Sequence, residues 1–527
     1  MKLRPVLIAG EWRLASGPHG SFQALNPATK GRIPELYPIS SLTDLDQALE
    51  ASHRAVAEVR ALPADSLAKF LEALATAIET RANALIEMAH LETALPKEPR
   101  LRSVELPRTT NQIRQAAAAC RDRSWCRATI DSKNNIRSKH GPLGGPVVIF
   151  GPNNFPFAFN PIGGGDFATA IASGNPVIAK SNPGHPGTSR IIAETAFDVL
   201  EKTGLPKSLI QLIYHILPED GLKLVGHPLV GATAFTGSRT AGLKLKRSAE
   251  KAGRLIYLEM SSLNPVIILP GALEEKADQI ASELFSSCAA GAGQFCTKPG
   301  LAILLDNENA QAFALAVKEL LESSPPGILL GRQIVEGIQR SVNKMARHGA
   351  KVMTGGQESR KPGFRFANSL LRTSGEIFLK HPEALQTEAF GTVSLLVFAK
   401  DGGQMRDIVG HLEGNLTGAI YSHSAGKDDL LYKEIEPILR QKVGRLLNDK
   451  MPTGVVVTPA MAHTGPYPAT GHPGFTSVGI PAALLRFTAL HCYDNVRPHR
   501  LPDELKDKNP TGRMWRLIDG EWTIRDV

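Results

Sequence analysis

Three short apolar segments, each followed by turn-forming residues, constrain the fold of this chain more than any other feature. They cover residues 146–150, 176–179 and 231–235, and stretches with helical character lie between them. A continuous apolar run is typical of a strand that is buried on both faces, as in a parallel sheet. Strands that alternate with helices form βαβ units. The segments therefore predict an α/β fold with a buried parallel sheet.

The regions at the two ends of the chain also show clear local patterns. Two helices are predicted over residues 44–60 and 64–93, and Pro96 and Pro99 mark the break after the second. Residues 7–12 and 517–522 each have the pattern of a strand, a turn and a strand. We interpret the rest of the C-terminal section as a Pro- and Gly-rich region followed by a polar tail.

The size and composition of the chain indicate a globular protein. Its 527 residues are too many for one compact core, so two or three domains are expected. The net charge is +9, but Lys and Arg are scattered and no aromatic residues alternate with them. The basic run at 244–247 is interpreted as a solvated helix face. We expect no nucleic-acid partner, and the charge favours a small anionic substrate or cofactor.

Five cysteines are present, and their spacing resembles neither a disulfide framework nor a zinc motif. We therefore predict free thiols in a reducing compartment and no bound metal. The N-terminus has no signal-peptide pattern, and no apolar stretch is long enough for a membrane span. The sequence predicts a cytoplasmic protein with no membrane partner.

Turn-forming residues follow the three predicted strands, at 151–156, 180–183 and 236–238. Ligands of open α/β sheets bind beyond the carboxyl ends of the strands. Gly237 and Gly242 frame a predicted helix start, where backbone N–H groups suit a pyrophosphate, although glycine-rich turns are also common without a ligand. The Gly-x-Gly-x-x-Gly fingerprint of dinucleotide-binding folds is absent.

Three polar residues are candidates for chemistry, and each has an alternative interpretation. Cys296 lies in a glycine-rich stretch where backbone N–H groups can approach a reacting oxygen, but free cysteines are often small buried hydrophobes. Glu259 ends an apolar run, where desolvation would raise its pKa toward that of a useful base, unless it is solvated or forms a strand-end ion pair. Asn154 precedes Phe-Pro and could donate to an oxyanion or cap a turn.

Taken together, the motifs resemble the aldehyde dehydrogenase superfamily. The resemblance runs from about residue 7 to the end of the chain. Six motifs occur in the order of that family: Asn154-Phe155-Pro156, Lys180 at a strand end, Phe235-Thr236-Gly237-Ser238, Leu258-Glu259, Gly293-Gln294-Phe295-Cys296 and Glu388-Ala389-Phe390-Gly391. The resemblance implies a Rossmann-type cofactor domain, an α/β catalytic domain and a small bridging arm used in oligomerisation. It also implies a homodimer or homotetramer.

The resemblance assigns roles to the catalytic residues. Cys296 would be the nucleophile that attacks an aldehyde to give a thiohemiacetal and then, after hydride transfer, a thioester. Asn154 and the backbone N–H of Cys296 would hold the oxyanion. Glu259 would activate the water that hydrolyses the thioester.

The resemblance also implies an NAD(P) cofactor. Lys180 would bind the adenosine ribose, Gly237 and Ser238 the pyrophosphate region, and Glu388 the nicotinamide ribose, with Phe390 packed nearby. Members of the family that prefer NAD often have Glu three residues after the strand-end Lys, and here that position is Pro183. We therefore expect NADP to be preferred and NAD to be possible. Leu217 replaces a glycine that many members have near the cofactor.

One branch of the family, the 2,5-dioxovalerate (α-ketoglutaric semialdehyde) dehydrogenases, is similar over several further stretches. These stretches are 108–112, 185–189, 259–265, 294–300 and 465–470. The resemblance implies oxidation of 2,5-dioxovalerate to 2-oxoglutarate. One alternative is an NADP-dependent dehydrogenase of medium- or long-chain fatty aldehydes, and another is a nucleotide-binding protein that has lost catalysis.

Five residues are candidates for substrate contact. Phe155, Phe159 and Phe295 are expected to line the substrate tunnel. His463 would tune the thiol or contact substrate, although a loop histidine that faces water fits as well. Arg108 would bind a substrate carboxylate, unless it pairs on the surface of a helix.

The same resemblance gives domain boundaries. The cofactor domain is expected over 1–122 and 145–259, and the catalytic domain over 260–465. The bridging arm is expected over 123–144 and 480–505, with a separate C-terminal tail at 506–527.

Overall fold

The computed structural model describes residues 2–63 and 65–527, and within these ranges the strands form four sheets. The first sheet has seven strands. In spatial order they are β12 (Leu255–Glu259), β11 (Ala232–Thr236), β7 (Val147–Phe150), β8 (Val177–Lys180), β9 (Ile210–Ile213), β1 (Val6–Ile8) and β2 (Glu11–Arg13). The five strands from β12 to β9 are parallel, and β1 and β2 add an antiparallel edge.

A second sheet of three strands lies beside the end of β9. Its spatial order is β10 (His215–Ile216), β4 (Tyr37–Ser40) and β3 (Gly20–Phe22).

Helices cover the first sheet, as the alternating pattern predicts. They are α1 (Leu42–Arg60), α2 (Ser66–Thr80), α3 (Ala82–Thr93), α4 (Leu106–Asp122), α5 (Gly165–Ala172), α6 (Pro186–Thr203), α7 (Pro218–Val225) and α8 (Arg239–Lys251). The one helix predicted over 64–93 is wrong, because Arg81 leaves the helical conformation with ψ of 14° and separates α2 from α3. The bend keeps both helices in contact with α6.

The third sheet has seven strands, of which only β15 runs antiparallel among those described. Its order is β15 (Lys351–Thr354), β16 (Ser369–Ser374), β17 (Val393–Ala399), β14 (Leu301–Leu305), β13 (Val266–Ile268), β18 (Asn415–Tyr421) and β19 (Val443–Asn448). The helices around it are α9 (Pro270–Ala289), α10 (Glu308–Ser323), α11 (Arg332–Arg347), α12 (Gly375–Lys380), α13 (Pro382–Leu385), α14 (Gly402–Gly410) and α15 (Asp429–Lys442). Strands β17 and β18 are buried throughout, and most of their residues are apolar.

The fourth sheet joins segments from distant parts of the chain. Its order is β20 (Thr488–Asp494), β6 (Ile136–Pro142), β5 (Thr129–Asp131), β21 (Arg516–Ile518) and β22 (Glu521–Thr523). The separate tail predicted over 506–527 is therefore wrong, because β21 pairs with β5. Met514 is fully buried with Ile130 and Leu505 in a small core that closes this part of the sheet.

The α/β fold predicted from the apolar segments is confirmed. The order in which the chain adds strands to the first sheet also indicates where a ligand can bind. From β7 the chain builds outward through β8 to β9, and it then returns to add β11 and β12 on the other side. The direction changes between β7 and β11, and ligands of open α/β sheets bind at such a point, beyond the carboxyl ends of the strands. In the described ranges, no helix has the length and apolar character needed to cross a membrane.

Candidate active site

A tight backbone turn precedes Cys296. Residues Ala290–Gly293 form it, and Gly291, Ala292 and Gly293 all have positive φ. A Cβ atom on Gly293 would lie 2.1 Å from the backbone carbonyl carbon of Gly391, so only glycine permits this approach. The turn leaves the Cys296 thiol half-buried.

Asn154 is fixed to the loop that carries Cys296. Its side-chain amide donates to the backbone carbonyl of Gln294 over 2.9 Å, and the residue is buried. A primary amide has two N–H groups, and this hydrogen bond uses one of them. The second N–H can therefore serve an oxygen that develops charge beside Cys296.

Glu259 and His463 complete a cluster around the thiol. His463 Nε2 lies 3.6 Å from Cys296 Sγ and 2.9 Å from Glu259 Oε1. The Ser477 hydroxyl donates to Glu259 Oε2 over 3.2 Å. His463 is buried rather than facing water, so its interpretation as a solvated loop residue is wrong.

The approach of His463 depends on a strand-like extension of the first sheet. Glu259 bridges to Thr470 across the edge of β12, and Met260 N donates to the carbonyl of Ala469. The His463 backbone N–H donates to Thr476 Oγ1 over 2.8 Å. The loop therefore lies along β12 and brings His463 to the end of that strand.

Electrostatics in the cluster differ from the prediction for Glu259. Burial favours a raised pKa, as expected, but the neighbouring His463 and the hydroxyl of Ser477 outweigh it, so the pKa of Glu259 is lowered. Burial opposes charge on His463, but Glu259 and Cys296 raise the pKa of the imidazole to about 10. The predicted raised pKa of Glu259 is therefore wrong, because it neglected a cation that is distant in sequence. Each partner therefore favours the charged form of the other, an imidazolium beside a carboxylate.

Lys180 ends β8 as a half-buried cation, and desolvation lowers its pKa to about 8. In the described ranges, Lys180 forms no ion pair. His215 lies on the neighbouring chain segment beyond β9, and its Nδ1 is buried with no hydrogen-bond partner in the described part of the protein. Burial, together with the charge of Lys180, lowers the pKa of His215 to about 4. The two residues form a basic site for a ligand that brings oxygen atoms or negative charge.

Gly237 and Ser238 form the junction between β11 and α8. Ser238 is the N-cap of α8, and its hydroxyl accepts from the backbone N–H of Ala241. The backbone N–H of Gly237 donates to the carbonyl of Glu259 over 3.0 Å. The N-terminus of α8 therefore lies beside the strand that ends in the catalytic candidate Glu259.

Glu388 is a half-buried carboxylate on the other side of the cluster. It lines a cavity of about 290 Å³ together with Arg239, Thr240 and Ser262, which extends to the first turn of α8. Burial raises the pKa of Glu388, although the hydroxyl of Ser261 and the charge of Lys298 oppose this shift. Phe390 is half-buried two residues later.

Comparison with known proteins identifies the family. The model of the "Aldehyde dehydrogenase family" matches residues 12–436. The chain belongs to the aldehyde dehydrogenase family. Two curated relatives are α-ketoglutaric semialdehyde dehydrogenase 2 from Azospirillum brasilense, 35% identical over 99% of this chain and 100% of the relative, and α-ketoglutaric semialdehyde dehydrogenase from Acinetobacter baylyi, 33% identical over 98% of each.

The fold of this aldehyde dehydrogenase is also that of solved members. Aldehyde dehydrogenase C from Pseudomonas syringae, solved with NAD⁺ and octanal, superposes with a TM-score of 0.78 at 18% identity, over 94% of this chain and 98% of that one. The enzyme is an oxidoreductase that acts on an aldehyde with a nicotinamide cofactor. Lys180, Glu388 and the N-terminus of α8 fit the ribose and phosphate groups of such a cofactor, since they offer a cation, a carboxylate and helix N-terminal N–H groups.

Aromatic side chains of this aldehyde dehydrogenase pack together beside the thiol. Phe155 contacts Phe159 and Phe295 edge-on, with ring centroids 5.3 and 5.2 Å apart. Phe159 also lies 6.5 Å from the ring of His463. The three phenylalanines predicted for the tunnel are therefore brought together next to the catalytic cluster.

Arg108 lies over this aromatic cluster instead of pairing on a helix surface. Its guanidinium carbon is 5.4 Å from the ring centre of Phe155 and 5.3 Å from that of Phe159. The Nε and Nη2 atoms are buried and have no hydrogen-bond partner in residues 2–63 and 65–527. Burial lowers the pKa of Arg108, while the nearby Glu105 and Cys296 oppose the shift. The alternative prediction, that Arg108 forms an ion pair on the surface of a helix, is therefore wrong.

Several residues of the site were not found in the sequence. Ser477 holds Glu259, and Arg100 donates to the carbonyl of Asn154 over 2.9 Å and lies 4.5 Å from the ring centre of Phe155. Arg445 donates to the carbonyls of Pro452 and Gly454 and interacts electrostatically with Cys296. These residues belong to no local motif, because only tertiary contacts connect them to the thiol.

Proposed function

We propose that this aldehyde dehydrogenase oxidises a semialdehyde that carries a carboxylate, and that the substrate is 2,5-dioxovalerate, giving 2-oxoglutarate. The unpaired guanidinium of Arg108 is the observation that carries the proposal. A buried charge without a partner costs free energy, and a substrate carboxylate would supply the missing acceptors. The two curated relatives named as α-ketoglutaric semialdehyde dehydrogenases support the same substrate.

The proposed reaction begins with Cys296. Its thiolate adds to the aldehyde carbon, and the carbonyl oxygen becomes an alkoxide that accepts hydrogen bonds from Asn154 and from backbone N–H groups. His463 Nε2 lies 3.6 Å from the sulfur, within hydrogen-bonding reach of it. The bound nicotinamide cofactor supplies a hydride acceptor. Loss of hydride from the thiohemiacetal restores the carbonyl as a thioester on Cys296.

Hydrolysis of the thioester would use Glu259. A cavity of about 30 Å³ lies against Glu259, His463 and Ser477, which is room for about two water molecules. The Glu259 carboxylate would take a proton from a water molecule as that water adds to the thioester carbon. The Cys296 thiolate then leaves, and the carboxylic acid product is released.

NADP is the cofactor that the site favours in this proposal. Pro183 follows Lys180 by three residues and brings no carboxylate to repel a 2′-phosphate. Lys180 has no ion pair in the described chain, and the unpaired Nδ1 of His215 lies beside it. These features support NADP over NAD, with Gly237, Ser238, Glu388 and Phe390 holding the rest of the cofactor.

A medium-chain aliphatic aldehyde remains the second candidate substrate. Phe155 and Phe159 pack with Val478, and the cluster continues through Val455 and Met461. These apolar side chains would accommodate an alkyl chain, while the buried charge of Arg108 disfavours it.

The test compares two substrates and two arginines of the same helix. We expect Arg108→Met to lower kcat/KM for 2,5-dioxovalerate by roughly 10- to 100-fold, as for a lost charge-assisted hydrogen bond, with little effect on hexanal. Arg114→Met is the matched control, because Arg114 lies further along α4 and pairs with Glu79 at the surface. Arg114→Met should leave kcat/KM unchanged for both substrates.

Other outcomes would refute parts of the proposal. If Arg108→Met lowered kcat/KM equally for both substrates, the proposal that Arg108 binds the substrate carboxylate would be refuted. Turnover of hexanal alone would support the aliphatic candidate. A Cys296→Ala variant that still reduces NADP with aldehyde would refute the mechanism, and a wild-type protein without any turnover would support a catalytically silent nucleotide-binding protein.

We further propose how the domains divide the work. The cofactor domain comprises 1–122 and 145–259, and the catalytic domain comprises 260–465. This division is supported by the first sheet ending at Glu259 and the third sheet beginning with β13 at Val266. The arm comprises 123–144 and 480–505, to which we add 506–527, and it would join chains into a homodimer or homotetramer.

A further inference from the structure

Three side chains with metal-binding atoms converge at the thiol from distant parts of the chain. Cys296 Sγ, His463 Nε2 and a carboxylate oxygen of Glu259 all lie within 4.8 Å of one another. The sulfur and the nitrogen are 3.6 Å apart, and the nitrogen and Oε1 are 2.9 Å apart. No spacing motif reveals this set, because 167 and 204 residues separate His463 from its two neighbours.

The atoms and their spacing suit a zinc ion. Zinc binds thiolate sulfur, imidazole nitrogen and carboxylate oxygen at about 2.3, 2.0 and 2.0 Å, in tetrahedral geometry. Those bond lengths place the ligand atoms roughly 3.3 to 3.6 Å from one another. The observed distance from sulfur to nitrogen already agrees, and the distance from nitrogen to oxygen differs by a few tenths of an ångström.

The three groups are also held in place by the surrounding protein. Ser477 binds Oε2 of Glu259, and the backbone of His463 is anchored to Thr476. The carbonyl of Cys296 accepts from the side-chain amide of Asn264 over 2.9 Å. His463 Nε2 lies 3.6 Å from the sulfur and 2.9 Å from the carboxylate oxygen, so it contacts both of the other ligands. A metal ion would therefore require little rearrangement of the site.

Charge balance favours a divalent ion here. Zn²⁺ binds the deprotonated forms of these ligands, and a thiolate, a neutral imidazole and a carboxylate together carry a charge of −2. A divalent ion makes the site neutral. The guanidinium groups of Arg108 and Arg445, which interact electrostatically with Cys296, are therefore not repelled by a net positive charge at the site. Binding releases the imidazolium proton, and the thiol proton if one is present, to solvent.

We propose that Cys296, His463 and Glu259 form a reversible inhibitory site for one Zn²⁺ ion per chain. The thiolate, the neutral imidazole and the carboxylate would be the ligands, and a water molecule would occupy the fourth position. The ion blocks the enzyme because it occupies the nucleophile and its two neighbours. This inference concerns the resting protein and does not depend on which aldehyde is the substrate.

The test uses Co²⁺ as a spectroscopic probe on the reduced full-length enzyme, in buffer free of chelators and thiols. Wild type should bind one Co²⁺ per chain and show the d–d bands of tetrahedral cobalt with a thiolate-to-cobalt charge-transfer band. Cys296→Ser should lack the charge-transfer band. His463→Gln and Glu259→Gln should bind Co²⁺ at least about tenfold more weakly. Cys492→Ser is the matched control, because Cys492 is an exposed thiol outside the cluster, and it should match wild type.

A second measurement uses Zn²⁺ itself. Zn²⁺ should displace the cobalt and slow the alkylation of Cys296 by iodoacetamide at least tenfold, and the slowing should be much weaker in His463→Gln. Circular dichroism and melting temperature would establish that each variant is folded. A charge-transfer band that survives in Cys296→Ser, or that disappears in Cys492→Ser, would overturn the proposal. Unchanged Co²⁺ affinity in both His463→Gln and Glu259→Gln would overturn it as well.

The readouts separate this proposal from the proposed function. Cobalt bands that depend on Cys296, in a protein that oxidises no aldehyde, would support the metal site and refute the function. Aldehyde oxidation in a protein that binds no Co²⁺ at the cluster would support the function and refute the metal site.

Discussion

Lys180 links the proposed cofactor preference to pH. Its pKa of about 8 in the free protein should rise when a 2′-phosphate binds, because the phosphate stabilises the ammonium form. Above pH 7, the affinity for NADP should therefore be constant up to about pH 8 and then fall by up to tenfold per pH unit, until the bound pKa is reached. His215 should not contribute to this pH dependence, because its pKa of about 4 keeps the imidazole neutral above pH 7.

This prediction is checked by titrating NADPH fluorescence between pH 7 and 9.5. The 2′-phosphate remains a dianion over this range, because its second pKa is about 6. Lys180→Met should bind NADPH weakly and without the slope. A slope that persists in Lys180→Met would show that another group is responsible.

The proposed catalytic residues illustrate what local sequence can and cannot reveal. Asn154, Glu259 and Cys296 each lie in a short motif at a strand end or a turn, so their positions were predicted. The lowered pKa of Glu259 was not, because it depends on His463, which is 204 residues away. The unpaired state of Arg108 likewise depends on the packing of α4 over Phe155 and Phe159.

Two loops of the site meet backbone to backbone, at Gly293 and Gly391. One loop carries Cys296, and the other follows Glu388. We expect Gly293→Ala to lower kcat/KM at least about 100-fold and to lower the melting temperature, because a methyl group there would separate the loops and a φ of 73° strains alanine.

Gly253→Ala is the matched control for this prediction. Gly253 has a φ of 67°, but a Cβ atom there would meet no described atom within 4 Å. It should cost only about 1–2 kcal/mol of stability and leave kcat/KM unchanged. Equal activity losses in the two variants would show that backbone strain, and not the contact of the loops, is responsible.

The regular elements could be predicted better than the joints between them. The buried strands β7, β8 and β11 follow from apolar runs, since a parallel sheet buries both faces. The break between α2 and α3 could not be predicted, because residues 64–93 have continuous helical character and the bend at Arg81 depends on contact with α6.

The arm leaves one strand edge available to a second copy of the chain. Strand β20 is at the edge of its sheet, and Leu490 on it is 75% exposed. Unpaired edges and exposed apolar side chains mark contact surfaces. We expect Leu490→Asp to weaken self-association, measured as molar mass by light scattering at micromolar concentration.

Leu430→Asp is the control for this variant. Leu430 is 80% exposed on α15, away from the sheet edge. It should leave the molar mass unchanged. A wild-type mass equal to one chain, or an unchanged mass in Leu490→Asp, would count against assembly through this edge.

The last sheet also sets an order of events during synthesis. Ser132, at the end of β5, binds Asp519, which is 387 residues further along the chain. At 5–20 residues per second, a ribosome takes on the order of 20–80 s to add that stretch. During this interval the nascent chain exposes the free edge of β5. The polar turn at 132–135 beside that edge, Ser-Lys-Asn-Asn, would discourage the premature pairing that leads to aggregation.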